Sequence, residues 1–275
     1  MRIIQLGGLG NQMFIYALYY ALKRKGIDVQ IDASLYNLIR MHNGYELPNV
    51  FEVAPPDVFR RGIHTQWLRF MLHFKPSLLV YEERFNRSLD VFSVNKPYIT
   101  GYWQSDMYFS DYREDLLKLF SFKGVSQRNM SLSEGMQSSH SVSIHIRRGD
   151  YLTVPGAMSS CTEDYYRKAI NIIYDYVQTP YFYIFSNDVE WSQNFAKKLG
   201  IPFTIIDHNK GKDSYQDMFL MTQCKHNIIA NSSFSWWGAY LNQHKDSIVI
   251  APHNWCVGHS EETLESDTPK DWIRI

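Results

Sequence analysis

The sequence predicts an α/β protein whose parallel, doubly wound sheets carry ligand sites at their strand ends. Three observations support this class. The chain opens as strand, glycine loop, helix and strand over residues 2–32; strands and helices alternate regularly over 142–252; and polar clusters directly follow three of those later strands. The carboxyl ends of parallel strands share one edge of a sheet, and ligands of open α/β sheets bind outside that edge.

The opening unit consists of a buried strand over 2–6, the loop 7–12 and a helix that closes near Gly26, followed by a strand over 29–32. Apolar residues recur at helical spacing from Met13 onward, which predicts the helix. Glycines in such a loop allow the backbone to approach a ligand closely. Met13 stands where a dinucleotide fingerprint has its third small residue, so a ligand loop and a plain tight turn both remain open.

The middle of the chain is less regular and suggests the domain organisation. We expect helices over 67–74 and 111–120 and a strand over 98–105 that ends in a polar, aromatic loop. Residues 123–141 are rich in Ser, Gln and Gly, which is typical of a linker. The predicted domains are therefore 1–130 and 140–260, with a tail over 261–275 for which a return to the first domain is one option.

The second half alternates strands with helices. The expected strands are 142–146, 181–185, 203–207, 227–230 and 247–252, and the expected helices are 162–177, 189–199, 215–224 and 236–242. Ser214 with Asp217 three residues later suits a capping box at the start of the third helix. Trp236 and Trp237 are expected to pack in the core.

Composition excludes several classes of protein. The 28 basic and 28 acidic side chains balance and form no Lys/Arg block, so the whole chain has no general attraction for nucleic acid or anionic lipid. Three widely spaced cysteines argue against a disulfide framework, and the scattered histidines against a metal site. No signal-peptide pattern or bilayer-length apolar span occurs. We expect a cytoplasmic protein, with peripheral association to the inner membrane face left open.

Three polar clusters follow predicted parallel strands: 145–150, 186–188 and 231–235. The first contains Arg147 and Arg148, whose planar guanidinium groups match phosphate geometry and keep their charge. The last opens a helix, where backbone N–H groups favour an anion. Together they predict a pocket of diphosphate size. Because the sequence contains no Asp-x-Asp pair, arginine would replace the usual metal ion.

Four motifs together resemble the inverting α-1,2-fucosyltransferase family. They are Gly7-Gly8-Leu9-Gly10-Asn11-Gln12, His145-Ile146-Arg147-Arg148-Gly149-Asp150-Tyr151, Phe185-Ser186-Asn187-Asp188 and Asn231-Ser232-Ser233-Phe234-Ser235-Trp236-Trp237-Gly238-Ala239. They stand in order along nearly the whole chain. The second and fourth are specific together, whereas the glycine loop alone would be weak.

The resemblance implies two Rossmann-like domains facing a cleft, which is the GT-B type of fold. It also implies transfer of L-fucose from GDP-fucose to the 2-hydroxyl of a terminal β-galactoside, with inversion and without metal or other cofactor. The vertebrate members carry a membrane anchor that this sequence lacks, which indicates a bacterial-type enzyme acting on glycan precursors.

The same resemblance assigns the site residues. Arg147 is expected to bind the β-phosphate, and Arg147 and Asp150 form the catalytic set. The expected donor-binding residues are His145, Arg147, Arg148, Asn187, Asp188, Ser232, Ser233 and Phe234. The first domain is expected to contribute Gly8, Asn11 and Gln12 to acceptor or phosphate contacts, and Asn11 could instead cap the first helix.

The sequence leaves the catalytic base open among Asp150, His145, Asp32 and Asp106. Asp150 also suits a role in orienting one of the arginines. Three other functions remain open: a fucosyltransferase for another acceptor or linkage, a non-catalytic nucleotide-sugar-binding module, and an NAD-dependent oxidoreductase built on Gly8 and Gly10, which Met13 disfavours.

Overall fold

The computed structural model describes residues 1–39, 41–74, 77–81, 90–148, 161–253, 255 and 268–275. The chain divides into two compact units, Met1–Lys123 and Gly124–Ile275. All strand pairs in both sheets are parallel, which confirms the predicted fold class.

The first unit contains a four-stranded sheet in the order β2-β1-β4-β3. Its strands are β1 (Arg2–Ile4), β2 (Gln30–Asp32), β3 (Leu79–Tyr81) and β4 (Tyr98–Thr100), and its helices are α1 (Leu9–Arg24), α2 (Leu47–Val50), α3 (Ile63–Phe74) and α4 (Arg113–Leu119). The predicted apolar stripe of α1 is buried, including Met13, Phe14 and Leu18. This burial holds the glycine loop at the carboxyl end of β1.

The second unit contains a six-stranded sheet in the order β10-β9-β8-β5-β6-β7. Its strands are β5 (Ser141–Ile146), β6 (Tyr181–Ser186), β7 (Phe203–Ile206), β8 (His226–Ile228), β9 (Val249–Ala251) and β10 (Ile273–Arg274). Its helices are α5 (Gln127–Ser138), α6 (Glu163–Tyr176), α7 (Val189–Leu199), α8 (Tyr215–Gln223) and α9 (Ser233–Tyr240).

The central strand β5 is buried along its whole length. Val142, Ile144 and Ile146 pack into one apolar cluster with residues of α6 and α7. Ser143 and His145 alternate with them, so their side chains lie on the opposite face. The strand that carries the arginine motif is thus anchored on both sides by strands and on one face by helices.

The expected linker over 123–141 is not a linker. Helix α5 occupies Gln127–Ser138, and Ser126 caps it by accepting a hydrogen bond from the Asn129 backbone N–H. Met136 buries its side chain in a second apolar cluster. The division between units lies after Lys123, so residues 124–139 belong to the second unit, unlike the predicted domains 1–130 and 140–260.

The described part of the tail, 268–275, lies within the second unit. Its strand β10 pairs with β9 and adds an edge to the second sheet. The Ile275 backbone N–H donates to the Ala251 carbonyl, and the Ile275 carbonyl accepts from the His253 N–H. Residues 268–275 therefore belong to the second unit and do not return to the first domain.

The predicted capping box of α8 is wrong. Ser214 makes no side-chain cap, because its backbone is already helical. Asp217 instead accepts a hydrogen bond from the Asn209 side chain at 2.8 Å. Burial raises the pKa of the Asp217 carboxyl to about 7, while the Asn209 hydrogen bond acts in the opposite direction.

Candidate active site

Three neighbouring strands of the second sheet end in the polar clusters noted in the sequence. The sheet order places β5 between β8 and β6, so the three clusters follow adjacent strand ends at one edge. Ile146 at the end of β5 pairs with Ser186 at the end of β6. The Arg148 backbone N–H then donates to the Asn187 side-chain oxygen at 3.0 Å. The structure therefore brings the first two predicted clusters together.

Helix α7 holds the guanidinium group of Arg148. The group lies 4.1 Å above the centre of the Trp191 ring. Its Nε is 3.5 Å from Oδ2 of Asp188, and Oδ1 of Asp188 caps α7 by accepting from the Trp191 N–H at 3.2 Å. Arg148 and Asp188 were both predicted to bind the donor. In the structure these two residues contact each other and α7, which fixes the position of Arg148, and their binding of the donor stays a prediction.

His145 lies just before the arginines and is buried on β5, with 7% of its surface exposed. Burial, together with the nearby positive charge of Arg147, lowers the pKa of its imidazole to about 3. Its ring lies 6.0 Å from that of Phe234, and its backbone carbonyl accepts from the Tyr166 hydroxyl. Among the described residues, its Nδ1 has no hydrogen-bond partner. His145 is therefore a neutral imidazole within the site.

The third cluster forms the beginning of α9. Ser232 is the residue before the helix, its side chain makes no cap, and its carbonyl accepts the first helical bond from the Trp236 N–H. The first backbone N–H groups of a helix have no partner within it and favour an anion. Ser232, Ser233 and Phe234 thus begin a helix at the edge where Arg147 follows β5.

Two buried tryptophans support this helix start. Trp236 and Trp237 are 0% exposed and pack against each other and against Tyr240, and Trp236 also contacts Trp272. This confirms their predicted place in the core. The ring contacts hold α9 in position beneath the loop that precedes it.

In the first unit, the glycine loop is closely packed. Gly7 has a φ of +77°, and a Cβ there would lie 2.6 Å from Nδ2 of Asn11. A Cβ on Gly8 would lie 3.0 Å from the His42 ring. Oδ1 of Asn11 accepts from the Gln104 side chain at 2.7 Å, so Asn11 connects the loop to the segment after β4 and does not cap α1.

Gln12, predicted to contact the acceptor or a phosphate, has hydrogen-bond partners within the first unit. It is 0% exposed, and its side-chain amide donates to the carbonyls of Gly7 and Gly44. Its oxygen accepts from the Glu46 N–H at 2.8 Å. Backbone groups occupy both ends of this amide, so Gln12 fixes the shape of the glycine loop.

The candidate bases occupy very different environments. Asp32 is 0% exposed, accepts from the Ser34 N–H and lies 2.8 Å from Nε2 of His64, a pairing that no local sequence pattern indicated. Asp106 begins a short 3₁₀ turn capped by Ser105. Asp150 lies outside the described residues.

Within the described ranges, no group of three or more His, Cys, Asp or Glu side chains is arranged to hold a metal ion. Cys161 and Cys224 are buried free thiols, while Cys256 lies outside the described part of the chain. Burial raises the pKa of the Cys161 thiol to about 11. No helix among the described residues is long and apolar enough to span a bilayer.

A family model described as glycosyl transferase family 11 matches residues 2–275. The chain belongs to this family. The resemblance inferred from the motifs is confirmed, and the protein is a fucosyltransferase-family glycosyltransferase.

Several relatives of this family 11 chain are known. An α-1,2-colitosyltransferase of Escherichia coli is 31% identical, with 98% of this chain and 96% of the relative covered. The O-antigen biosynthesis glycosyltransferase WbnK of Escherichia coli is 30% identical, with 98% of each covered. The galactoside α-(1,2)-fucosyltransferase 2 of Rattus norvegicus is 28% identical over 87% of this chain and 66% of its own length.

The fold also resembles a solved structure. The fucosyltransferase NodZ from Bradyrhizobium superimposes with a TM-score of 0.52 at 13% identity, covering 86% of this chain and 90% of NodZ. At this identity the likeness concerns the fold alone. The family 11 chain has the paired parallel-sheet units of GT-B glycosyltransferases.

Proposed function

We propose that this protein transfers L-fucose from GDP-fucose to the 2-hydroxyl of a terminal β-galactoside, with inversion and without a metal ion. The observation that carries the proposal is the edge of the second sheet, where Arg147 follows β5 and the start of α9 follows the neighbouring strand β8. A guanidinium group and the first N–H groups of a helix, on adjacent strand ends, suit a diphosphate.

The chemistry requires stabilisation of the departing GDP as positive charge develops on the sugar. Fixed donors aimed at developing charge usually make the largest catalytic contribution. Arg147 would face the β-phosphate, and Ser232 and Ser233 would donate from the start of α9. Arg148 contributes indirectly, because its contacts with Asp188 and Trp191 hold the loop in place. With cations supplied by the protein, a metal ion is unnecessary.

The acceptor hydroxyl must lose a proton on the opposite face of the sugar. We assign this step to Asp150, which follows the arginine pair in the sequence. His145 is a poor candidate because its Nδ1 is buried and the pKa of its imidazole is lowered to about 3. Asp32 is also unsuitable, because Ser34 and His64 already occupy its oxygens. A pH–rate profile that is unchanged in Asp150→Asn would refute the assignment.

The donor sugar has one specific competitor. A relative that is 31% identical over nearly its whole length is an α-1,2-colitosyltransferase. Colitose is fucose without its 3-hydroxyl group, so a site for one sugar differs from a site for the other by few contacts. The second candidate function is therefore colitosyl transfer to the same 2-hydroxyl.

The deciding experiment is an assay of the purified protein with GDP-fucose or GDP-colitose and a panel of β-galactosides in the presence of EDTA. We expect a product fucosylated at the galactose 2-hydroxyl, identified by linkage analysis. Transfer from GDP-colitose alone would support the second candidate. If the protein neither transfers a sugar nor binds GDP-fucose, the assignment of the donor site to this edge of the second sheet is refuted.

Arg147→Ala tests the residue at the centre of the proposal. Loss of one donor to developing charge typically lowers kcat by about a hundred- to a thousandfold. Arg24→Ala is the matched control, since Arg24 is an exposed arginine in the last turn of α1. A folded Arg147→Ala variant with a near-normal rate would contradict the mechanism.

A further inference from the structure

Helix α3 has two apolar faces. Thr65, Leu68 and Met71 are buried against the first unit. The other face is exposed at spacings of four, three and four residues, which place its side chains on one side of a helix. These side chains are Ile63, Trp67, Phe70 and Phe74, with exposed fractions of 89%, 36%, 54% and 62%.

Exposed apolar residues also flank the helix in the sequence, and we call them, together with the four exposed helix residues, the α3 face. Phe59 before the helix and Leu78 after it are also about half exposed. The ring centres of Phe70 and Phe74 lie 4.4 Å apart, so these two side chains form one continuous apolar surface. Monomeric soluble proteins seldom expose a large contiguous apolar patch unless it binds something.

The segment that contains the α3 face carries charge of one sign. No acidic residue occurs between Asp57 and Glu82, whereas that interval contains four basic residues: Arg60, Arg61, Arg69 and Lys75. The three arginines are exposed. The balanced charge of the whole chain argued against an attraction to anionic lipid, but here basic and aromatic residues are concentrated in one segment.

We propose that the α3 face docks the protein onto an anionic lipid bilayer. A helix with aromatic residues on one side and basic residues beside them lies in the membrane interface. Twelve residues are too few to span the hydrocarbon core, so the helix lies in the plane of the surface. This proposal rests on α3 and the residues that flank it, and it is independent of the proposed donor and acceptor.

The charge also distinguishes a bilayer from a second copy of the chain. A two-fold dimer places the same patch on both sides of the interface, so Arg60, Arg61 and Arg69 would approach their own equivalents without an acidic partner from the same segment. An anionic surface instead attracts each arginine. Each basic residue near such a surface strengthens binding about fivefold, or about a hundredfold for three.

The test is flotation of the full chain with vesicles of phosphatidylcholine alone or of phosphatidylcholine with phosphatidylglycerol. We expect binding to the anionic vesicles only, weakened by salt. The variant Ile63→Ser/Phe70→Ser/Phe74→Ser should lose it, and so should Arg60→Gln/Arg61→Gln/Arg69→Gln.

Met130→Ser/Tyr176→Ser is the matched control, because both side chains are exposed apolar groups in the second unit. It should bind like the wild type, and thermal unfolding should show that every variant is folded. Wild-type protein that does not float with anionic vesicles at low salt would overturn the proposal. So would a dimer in sedimentation analysis that the serine variant abolishes, since this would assign the face to a second copy.

Discussion

The buried imidazole of His145 should make the stability of this protein depend on pH, and the contribution of this one group can be measured with the variant His145→Gln. The group has a pKa near 6.5 in an unfolded chain and about 3 in the folded protein. As the pH falls below 6.5, the unfolded state takes up a proton that the folded state does not. Folding stability is therefore lost as the pH falls through this window, and it is fully retained well above it.

The two pKa values determine the size of the effect. Lowering the pH from near 7 to near 5 should cost about 2 kcal/mol through His145 alone, since each pH unit inside the window contributes about 1.4 kcal/mol. His226, whose pKa is lowered by burial to about 4, contributes in the same direction. A comparison of wild type with His145→Gln removes that second contribution, because both proteins retain His226.

The assay is urea denaturation at several pH values in this window. The free energy of unfolding of wild type minus that of His145→Gln should decrease by about 2 kcal/mol between the two ends. Ser143→Ala is the matched control: Ser143 lies on the same face of β5 and accepts from the Asn227 side chain, but it does not titrate. Its effect should be the same at every pH. An equally constant difference for His145→Gln would refute the burial argument.

Two further predictions concern a buried amide and a closely packed glycine. Gln12→Ala removes the partner of the Glu46 N–H and of the Gly44 carbonyl, whereas the Gly7 carbonyl still accepts from the Tyr36 hydroxyl. We therefore expect a loss of about 2 kcal/mol in urea denaturation, while exposed Gln66→Ala should stay within about 0.5 kcal/mol. Gly238→Ala would place a Cβ 2.9 Å from the Met221 Cβ between α8 and α9, which should cost about 1–3 kcal/mol. Gly135→Ala in α5 should instead be neutral or stabilising, because its nearest neighbour would be 3.8 Å away. Equal melting temperatures for the two glycine variants would contradict the packing argument.

The sequence predicted the second sheet well because its strands are short apolar runs separated by strongly periodic helices. The position of Val189–Leu199 was predicted to the residue, and Asp188 before it supplies a local cap. Helix α5 was missed because its sequence is polar and rich in Ser and Gln. Only three of its residues are buried, so tertiary packing of Met136 and a serine cap decide its structure.

The candidate site was predictable where a side chain follows a strand directly and unpredictable where partners come from distant segments. The alignment of Arg147 with the start of α9 follows from parallel topology. The contacts of Arg148 with Trp191 and of Asp32 with His64 depend on how the helices pack against the sheet. The spacing of residues in the sequence does not determine that packing.

A helix was predicted over 67–74, and the structure shows α3 over Ile63–Phe74, but the prediction said nothing about which of its side chains are exposed. Its apolar residues were expected to mark a helix, but a chain of zero net charge gave no reason to consider lipid. Periodicity cannot separate a helix buried on two faces from one that leaves a face exposed, because both are apolar nearly all round. Only the exposure of Ile63, Phe70 and Phe74 distinguishes them. Once that exposure is known, the absence of acidic residues from Val58 to Tyr81 supports binding to an anionic surface. For a helix buried on both faces, the same absence would say nothing about a partner.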